Sequence, residues 1–256
     1  MNYGLCNLNI VPLRIEDSDC SEMVSQVLYG DLFEVLELSE KWCKVRLVDD
    51  QYEGWIDSKQ YKKISPSEFQ ELSQKPPMLT THLLDVITTV TNMLLPISIG
   101  SNTAISKFLN HSFEGATTSK KLNKPNLTEF AQMYLNSPYL WGGKTPFGID
   151  CSGFTQMVYK LCGYQLLRDA SQQVTQGEVL SFIEESEAGD LAFFDNEEGE
   201  IIHVGILLDH NHIIHAHGKV RIDQLDHSGI FNIEKQKHTH KLRVIKKQIN
   251  KNLHDR

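Results

Sequence analysis

Residues 148–154 read Gly148-Ile149-Asp150-Cys151-Ser152-Gly153-Phe154, and an apolar stretch of helical period follows at once. Phe154, Val158, Leu161 and Cys162 stand at i, i+4, i+7 and i+8, the buried face of a helix. Gly163 is its stop signal. Cys151 therefore opens a helix. Unpaired N–H groups and the helix dipole favour an anion there, and a thiol so placed can fall from a pKa of about 8.5 into the range of roughly 3.5–7.5. Two readings stand at this point: a nucleophile, or a small buried hydrophobe, the usual fate of a free cysteine.

A nucleophilic cysteine needs an imidazole within reach and a third group to hold that ring. Residues 200–208, Glu-Ile-Ile-His-Val-Gly-Ile-Leu-Leu, read as a buried strand in which His203 is the one ring. Alternation puts Ile202 and Val204 on one face, and His203 with Gly205 on the other. After the polar Asp209-His210-Asn211, residues 213–217 read as a second strand carrying His215, so the pair forms a hairpin. Its facing strands can bring His203 and His215 together, although sequence does not fix the register.

Further motifs flank these: Tyr139-Leu140-Trp141-Gly142-Gly143, Arg168-Asp169-Ala170-Ser171, and Gly189-Asp190-Leu191-Ala192-Phe193-Phe194. In this order they resemble the NlpC-type family of papain-like cysteine peptidases that cut bacterial cell-wall peptides, over roughly residues 125–245. The resemblance implies Cys151 as nucleophile, His203 as general base and His215 as its orienter. It also implies Tyr139 as an oxyanion-hole donor beside the Cys151 backbone N–H. No cofactor and no metal is implied.

Residues 1–64 carry short β-prone stretches at even spacing and resemble a bacterial SH3-like barrel. Residues 65–77 read as a helical linker, with proline in the first helical turn. Residues 78–120 read as a second, degenerate SH3-like barrel, and 121–256 as the peptidase domain. In that last segment Asn126 and Glu129 resemble a helix-capping pair. Helices followed by strands predict an α+β fold, an antiparallel sheet with helices packed on one side.

This module order resembles the γ-D-glutamyl-L-diamino acid endopeptidases, the dipeptidyl-peptidase VI type. The resemblance implies a murein peptide substrate with a free N-terminal L-alanine, whose ammonium would meet Asp150, Glu22 and Tyr52. It further implies that Ser152 lies in the substrate site, with Arg168 and Ser171 receiving the α-carboxylate of D-glutamate, a group that guanidinium holds bidentately. Asp150 is equally suited to cap the Cys151 helix. Trp55 and Trp141 read as packing residues.

The net charge of −8 and the lack of a basic run exclude an electrostatic footprint for nucleic acid or anionic membrane. No apolar run approaches the ~20 residues of a membrane-spanning helix. No obligate protein partner is indicated. The five cysteines form no C-x-x-C pair, which fits a reducing compartment. With no secretory leader in the chain as given, the expected location is the cytoplasm, or the periplasm or cell surface if a leader has been removed. Three other readings share parts of this pattern. His210, His212, His215 and His217 could signal a metallohydrolase, but no H-E-x-x-H is present. A non-catalytic cell-wall binding protein conflicts with the intact Cys151, His203 and His215. An amidase or acyltransferase on the same fold would keep the same groups.

Overall fold

The computed structural model describes residues 2–248. The chain divides into two compact units. The first holds the N-terminal residues up to Lys121 together with Trp141–Pro146; the second holds Leu122–Leu140 and the described residues from Phe147 on.

The first unit opens with the strands β1 (Asn2–Leu5), β2 (Ile10–Arg14), β3 (Met23–Leu28), β4 (Leu32–Leu38), β5 (Trp42–Leu47), β6 (Glu53–Asp57) and β7 (Lys62–Ile64). They form one antiparallel sheet in the order β3-β2-β6-β5-β4-β1-β7. Period-two alternation turns Cys43, Val45 and Leu47 of β5 inward against Val11, Leu13, Phe33 and Ile56. Lys44 and Arg46 point outward and pair with Glu53 on β6.

Residues 65–77 are more than a linker. Helix α1 (Pro66–Ser73) starts on a capping box in which Ser65 and Glu68 satisfy each other's backbone N–H groups, and its Leu72 is buried. Residues 78–120 form two short ribbons and a 3-10 helix, and no barrel of their own. β8 (Leu79–Thr80) pairs with β11 (Thr117–Thr118), β9 (Leu84–Thr88) pairs with β10 (Leu94–Ser98), and the 3-10 helix spans Thr103–Leu109. Ile87, Ile97, Ile105 and Leu109 share one core with Leu5, Tyr29, Leu32, Ile64 and Leu72. Residues 78–120 thus add to a core shared with the first seven strands and α1. A short strand, β12 (Lys144–Thr145), also belongs to this unit.

The second unit opens with α2 (Lys124–Met133). This helix starts earlier than the Asn126–Glu129 pair predicts. Asn123 is its N-cap and Pro125 lies in its first turn, where a fixed φ and a missing N–H cost nothing. Asn126 instead donates to Glu129 within the helix. After β13 (Gly148–Ile149) comes α3 (Cys151–Leu161), capped by Asp150, whose carboxylate accepts the Gly153 N–H at 2.6 Å. The helix stops at Gly163, whose φ of +78° is costly for any residue with a side chain. A short helix, α4 (Ala170–Gln173), follows.

The sheet of this unit comprises β14 (Glu178–Leu180), β15 (Leu191–Asp195), β16 (Ile201–Leu207), β17 (His212–His217), β18 (Lys219–Asp226), β19 (Gly229–Asn232) and β20 (Lys237–Lys247). It is antiparallel in the order β14-β20-β15-β16-β17-β18-β19, and β20 also pairs with β19, so six strands close on themselves. The fold is α+β. Helix α3, apolar and buried nearly all round, packs on β16 and β17.

Candidate active site

Strands β16 and β17 carry the two histidines. Their described ladder holds two residue pairs, Ile206↔Ile214 and Leu207↔Ile213. Carried on, that register sets Gly205 against His215. A Cβ on Gly205 would lie 2.9 Å from the His215 Cβ, so the glycine gives His215 its room. His203 Nε2 and His215 Nδ1 lie 2.8 Å apart with both side chains buried. Beyond the last ladder pair the start of β16 faces α3, and the Val204 backbone N–H is directed at the Cys151 sulfur. The nucleophile at the helix start is thereby seated against the residue next to His203.

At the thiol, the pull of the helix start is opposed by its surroundings. Burial, and then the neighbouring Asp150 carboxylate, push Cys151 up to about 12, against the opposing pull of the Val204 N–H, Arg168 and the Ser152 N–H. His203 moves the other way. Burial and the nearby His215, His240 and His217 hold its proton affinity well below the usual histidine range. Tyr139 is half-buried, and burial together with Cys151 and Asp150 raises its phenol well above the ordinary value. It therefore stays protonated as a hydrogen-bond donor at neutral pH.

Beyond His215 the chain of contacts continues into groups that sequence reasoning missed. His215 Nε2 lies 3.1 Å from Asp223 Oδ2 on β18. Arg221 grips the same carboxylate, Nε to Oδ2 at 2.7 Å and Nη2 to Oδ1 at 2.9 Å, and reaches Glu234 with Nη1. His240 of β20 stacks on His203 with ring centroids 4.2 Å apart. Among the described residues, no three His, Cys, Asp or Glu side chains are arranged to hold a metal ion, and no helix is long and apolar enough to cross a membrane.

The comparisons with known proteins follow the same division. Residues 136–242 match the NlpC/P60 family, and residues 13–60 match the bacterial dipeptidyl-peptidase Sh3 domain. The chain is a cysteine peptidase with an NlpC/P60 domain. A gamma-D-glutamyl-L-lysine dipeptidyl-peptidase of Bacillus subtilis (strain 168) is 28% identical over 234 residues, covering 83% of this chain and 74% of the relative. Dipeptidyl-peptidase 6 of Lysinibacillus sphaericus is 27% identical over 242 residues, covering 80% and 85%. The crystal structure of an NlpC/P60 family protein from Bacillus cereus ATCC 10987 superposes with a TM-score of 0.78 at 19% identity, covering 97% of this chain and 100% of that one. The papain-like fold is shared with it.

Within the NlpC/P60 domain, Arg168 does not present an open guanidinium to a substrate carboxylate. It is 1% exposed. Nη1 and Nη2 hold the two Asp150 oxygens at 3.0 and 2.6 Å, and Nη1 also reaches Ser152 Oγ at 3.0 Å. Asp150 is thus both the cap of α3 and the counter-ion of Arg168. Ser152 is buried beside this pair, while Ser171 on α4 is exposed. In the first unit, Glu22 is exposed and accepts the Trp141 indole N–H at 2.5 Å. Tyr52 is half-buried and packs on the barrel core. Trp141 is 60% exposed, so it is no packing residue. Its neighbour Gly142 lies over β3, where a Cβ would come within 2.3 Å of the Met23 carbonyl oxygen.

The buried histidines make stability depend on pH. Burial, then His215 and His217, hold His240 down at about 3. A folded-state pKa below the unfolded value of about 6.5 contributes stability that is complete above 6.5 and is lost as the unfolded chain takes up the proton. His240→Phe keeps a ring against His203 and removes that proton site. Its unfolding free energy, followed in urea between pH 7.5 and 4, should fall less steeply with acid than that of the parent. Equal slopes would remove His240 from this role.

Proposed function

We propose that this peptidase hydrolyses the γ-D-glutamyl-L-diamino acid bond of murein stem peptides with a free N-terminal L-alanine, releasing L-Ala-γ-D-Glu in peptide recycling in the cytoplasm. The observation that supports it is similarity, across about four-fifths of the chain, to a gamma-D-glutamyl-L-lysine dipeptidyl-peptidase and to a dipeptidyl-peptidase 6, with both the SH3 module and the NlpC/P60 domain matched.

In this reading Cys151 attacks the γ-carbonyl of D-glutamate as His203 takes its proton. The electron pair of the carbonyl moves to oxygen, where the Cys151 backbone N–H and the Tyr139 hydroxyl are the donors. Such donors act only where charge develops, which is why they lower the barrier. His203 then gives its proton to the departing amine of the diamino acid. Water, activated by the same imidazole, releases the dipeptide from sulfur. Ser171, exposed on α4, is the donor for the α-carboxylate of D-glutamate. Arg168 acts at one remove, by fixing Asp150 and Ser152.

Mass spectrometry of two peptides tests the reading: L-Ala-γ-D-Glu-diaminopimelate, and the same peptide N-acetylated. Release of L-Ala-γ-D-Glu from the free-amine peptide alone is expected. Equal cleavage of both removes the amine requirement, and cleavage of neither removes the substrate assignment.

A further inference from the structure

We propose that Asp223 is a positioning residue of this peptidase: acting through His215, it fixes the tautomer of His203 so that Nδ1 carries the lone pair that takes the Cys151 proton.

The argument follows the protons. Asp223 is 0% exposed. Two N–H groups of Arg221, in contact with both its oxygens, hold it as an anion, and burial is opposed by His215 and Arg221 so that its pKa lies below the ordinary carboxylate value. A carboxylate only accepts hydrogen bonds. The proton in its 3.1 Å contact therefore sits on His215 Nε2. A neutral imidazole has one N–H, so His215 Nδ1 is an acceptor. The proton in the 2.8 Å contact between the rings then sits on His203 Nε2, which leaves His203 Nδ1 bare. In the chemical step the S–H bond breaks, the N–H bond forms at Nδ1, and the sulfur lone pair forms the bond to carbon. The resulting imidazolium is stabilised along the chain of hydrogen bonds that ends at Asp223.

Strand β18 carries the acid on its buried phase. In β18, Asp223 points into the closed sheet while its neighbour Ile222 is 38% exposed, the reverse of what burial alone would select. Asp223 pairs across from Ile213 and reaches His215 on the diagonal, a distance within reach of a charged side chain. The other charged or titratable groups bearing on His215, His217 and His240 are Arg221 and Lys235. None of the histidines nor the two cations can replace Asp223 as an anionic acceptor.

The experiment reads histidine tautomers by long-range 1H–15N spectra of the labelled full chain, and the rate at which iodoacetamide alkylates Cys151 at pH 7. The variants are D223N, H215Q and H215Q/D223N. Expected are Nε2–H tautomers for both rings in the unaltered protein, and slower alkylation in D223N. An Asp→Asn change bonded directly to a catalytic histidine costs about 10⁴-fold in kcat; one ring further out, a loss on the order of 10–100-fold is expected, from the same effect. The double variant should be no slower than H215Q. An Nδ1–H tautomer at either ring of the unaltered protein overturns the proposal. So does alkylation of D223N at the parent rate, or an equal slowing by D223N when His215 is already gone. Should D223N not fold, the tautomers of the unaltered protein decide alone. Iodoacetamide takes the place of the peptide, so the result stands apart from the murein assignment.

Discussion

Cys151→Ala should abolish turnover, lowering kcat by at least about 10⁴-fold while leaving the fold in place. Removing a nucleophile from a cysteine or serine site typically costs on this scale, with the remainder coming from the oxyanion donors and binding. The change removes one sulfur from a site 6% exposed, a loss of about 1 kcal/mol by the area of a single buried group. Activity and stability therefore separate in this variant. Cys151→Ser sharpens the test. The Cys151 thiol is pushed up to about 12 by burial and Asp150, and His203 is a weak base by virtue of its burial. A serine hydroxyl holds its proton more tightly than the thiol and is the weaker nucleophile. Serine should be nearly as inactive as alanine. Alanine that turns over within tenfold of the parent would end the nucleophile assignment.

How far this site is legible in sequence follows from which forces are local. The Cys151 helix is read from Asp150, the apolar period through Leu161 and the stop at Gly163, all short-range signals. The strands of His203 and His215 are read from alternation and the polar turn between them. Asp223 is invisible to the same approach because β18 puts a charge inside and Ile222 outside. A search for inverted polarity, an acid on the buried phase of a strand, is the signal that could have found it. Arg168 lies 18 residues from Asp150, and no periodicity links the two, so a buried counter-ion reads in sequence as an open one. The surroundings of the thiol are hidden for a related reason. Position at a helix start is local, but desolvation is set by the packing of β16 against α3. Residues 78–120 show the same limit at the level of domains. A barrel-like reading of the segment does not say whose core its Ile87 and Ile97 enter.

Arg168→Met should destabilise the protein by about 3–5 kcal/mol, the usual cost of removing one partner of a buried ion pair. Asp150 is 6% exposed and Arg168 1%, so the carboxylate cannot turn to water when the guanidinium is lost. The Gly153 N–H and the Ser152 hydroxyl remain on Asp150 Oδ1, but neither carries a charge. Methionine fills a similar length of the cavity, which keeps the packing loss small beside the electrostatic one. The double variant Arg168→Met/Asp150→Asn removes both charges and keeps a side chain able to cap α3. It should recover part of the loss, a non-additivity expected of residues in one network. Turnover should fall as well in Arg168→Met, because Arg168 pulls the Cys151 thiol down and Asp150 pushes it up. Urea unfolding of the two variants beside the parent, with kcat and KM measured on the same samples, separates the two roles open to this arginine. A counter-ion loses stability and kcat on removal. A receptor for the substrate's carboxylate loses KM with stability unchanged, and that outcome would return Arg168 to the binding site.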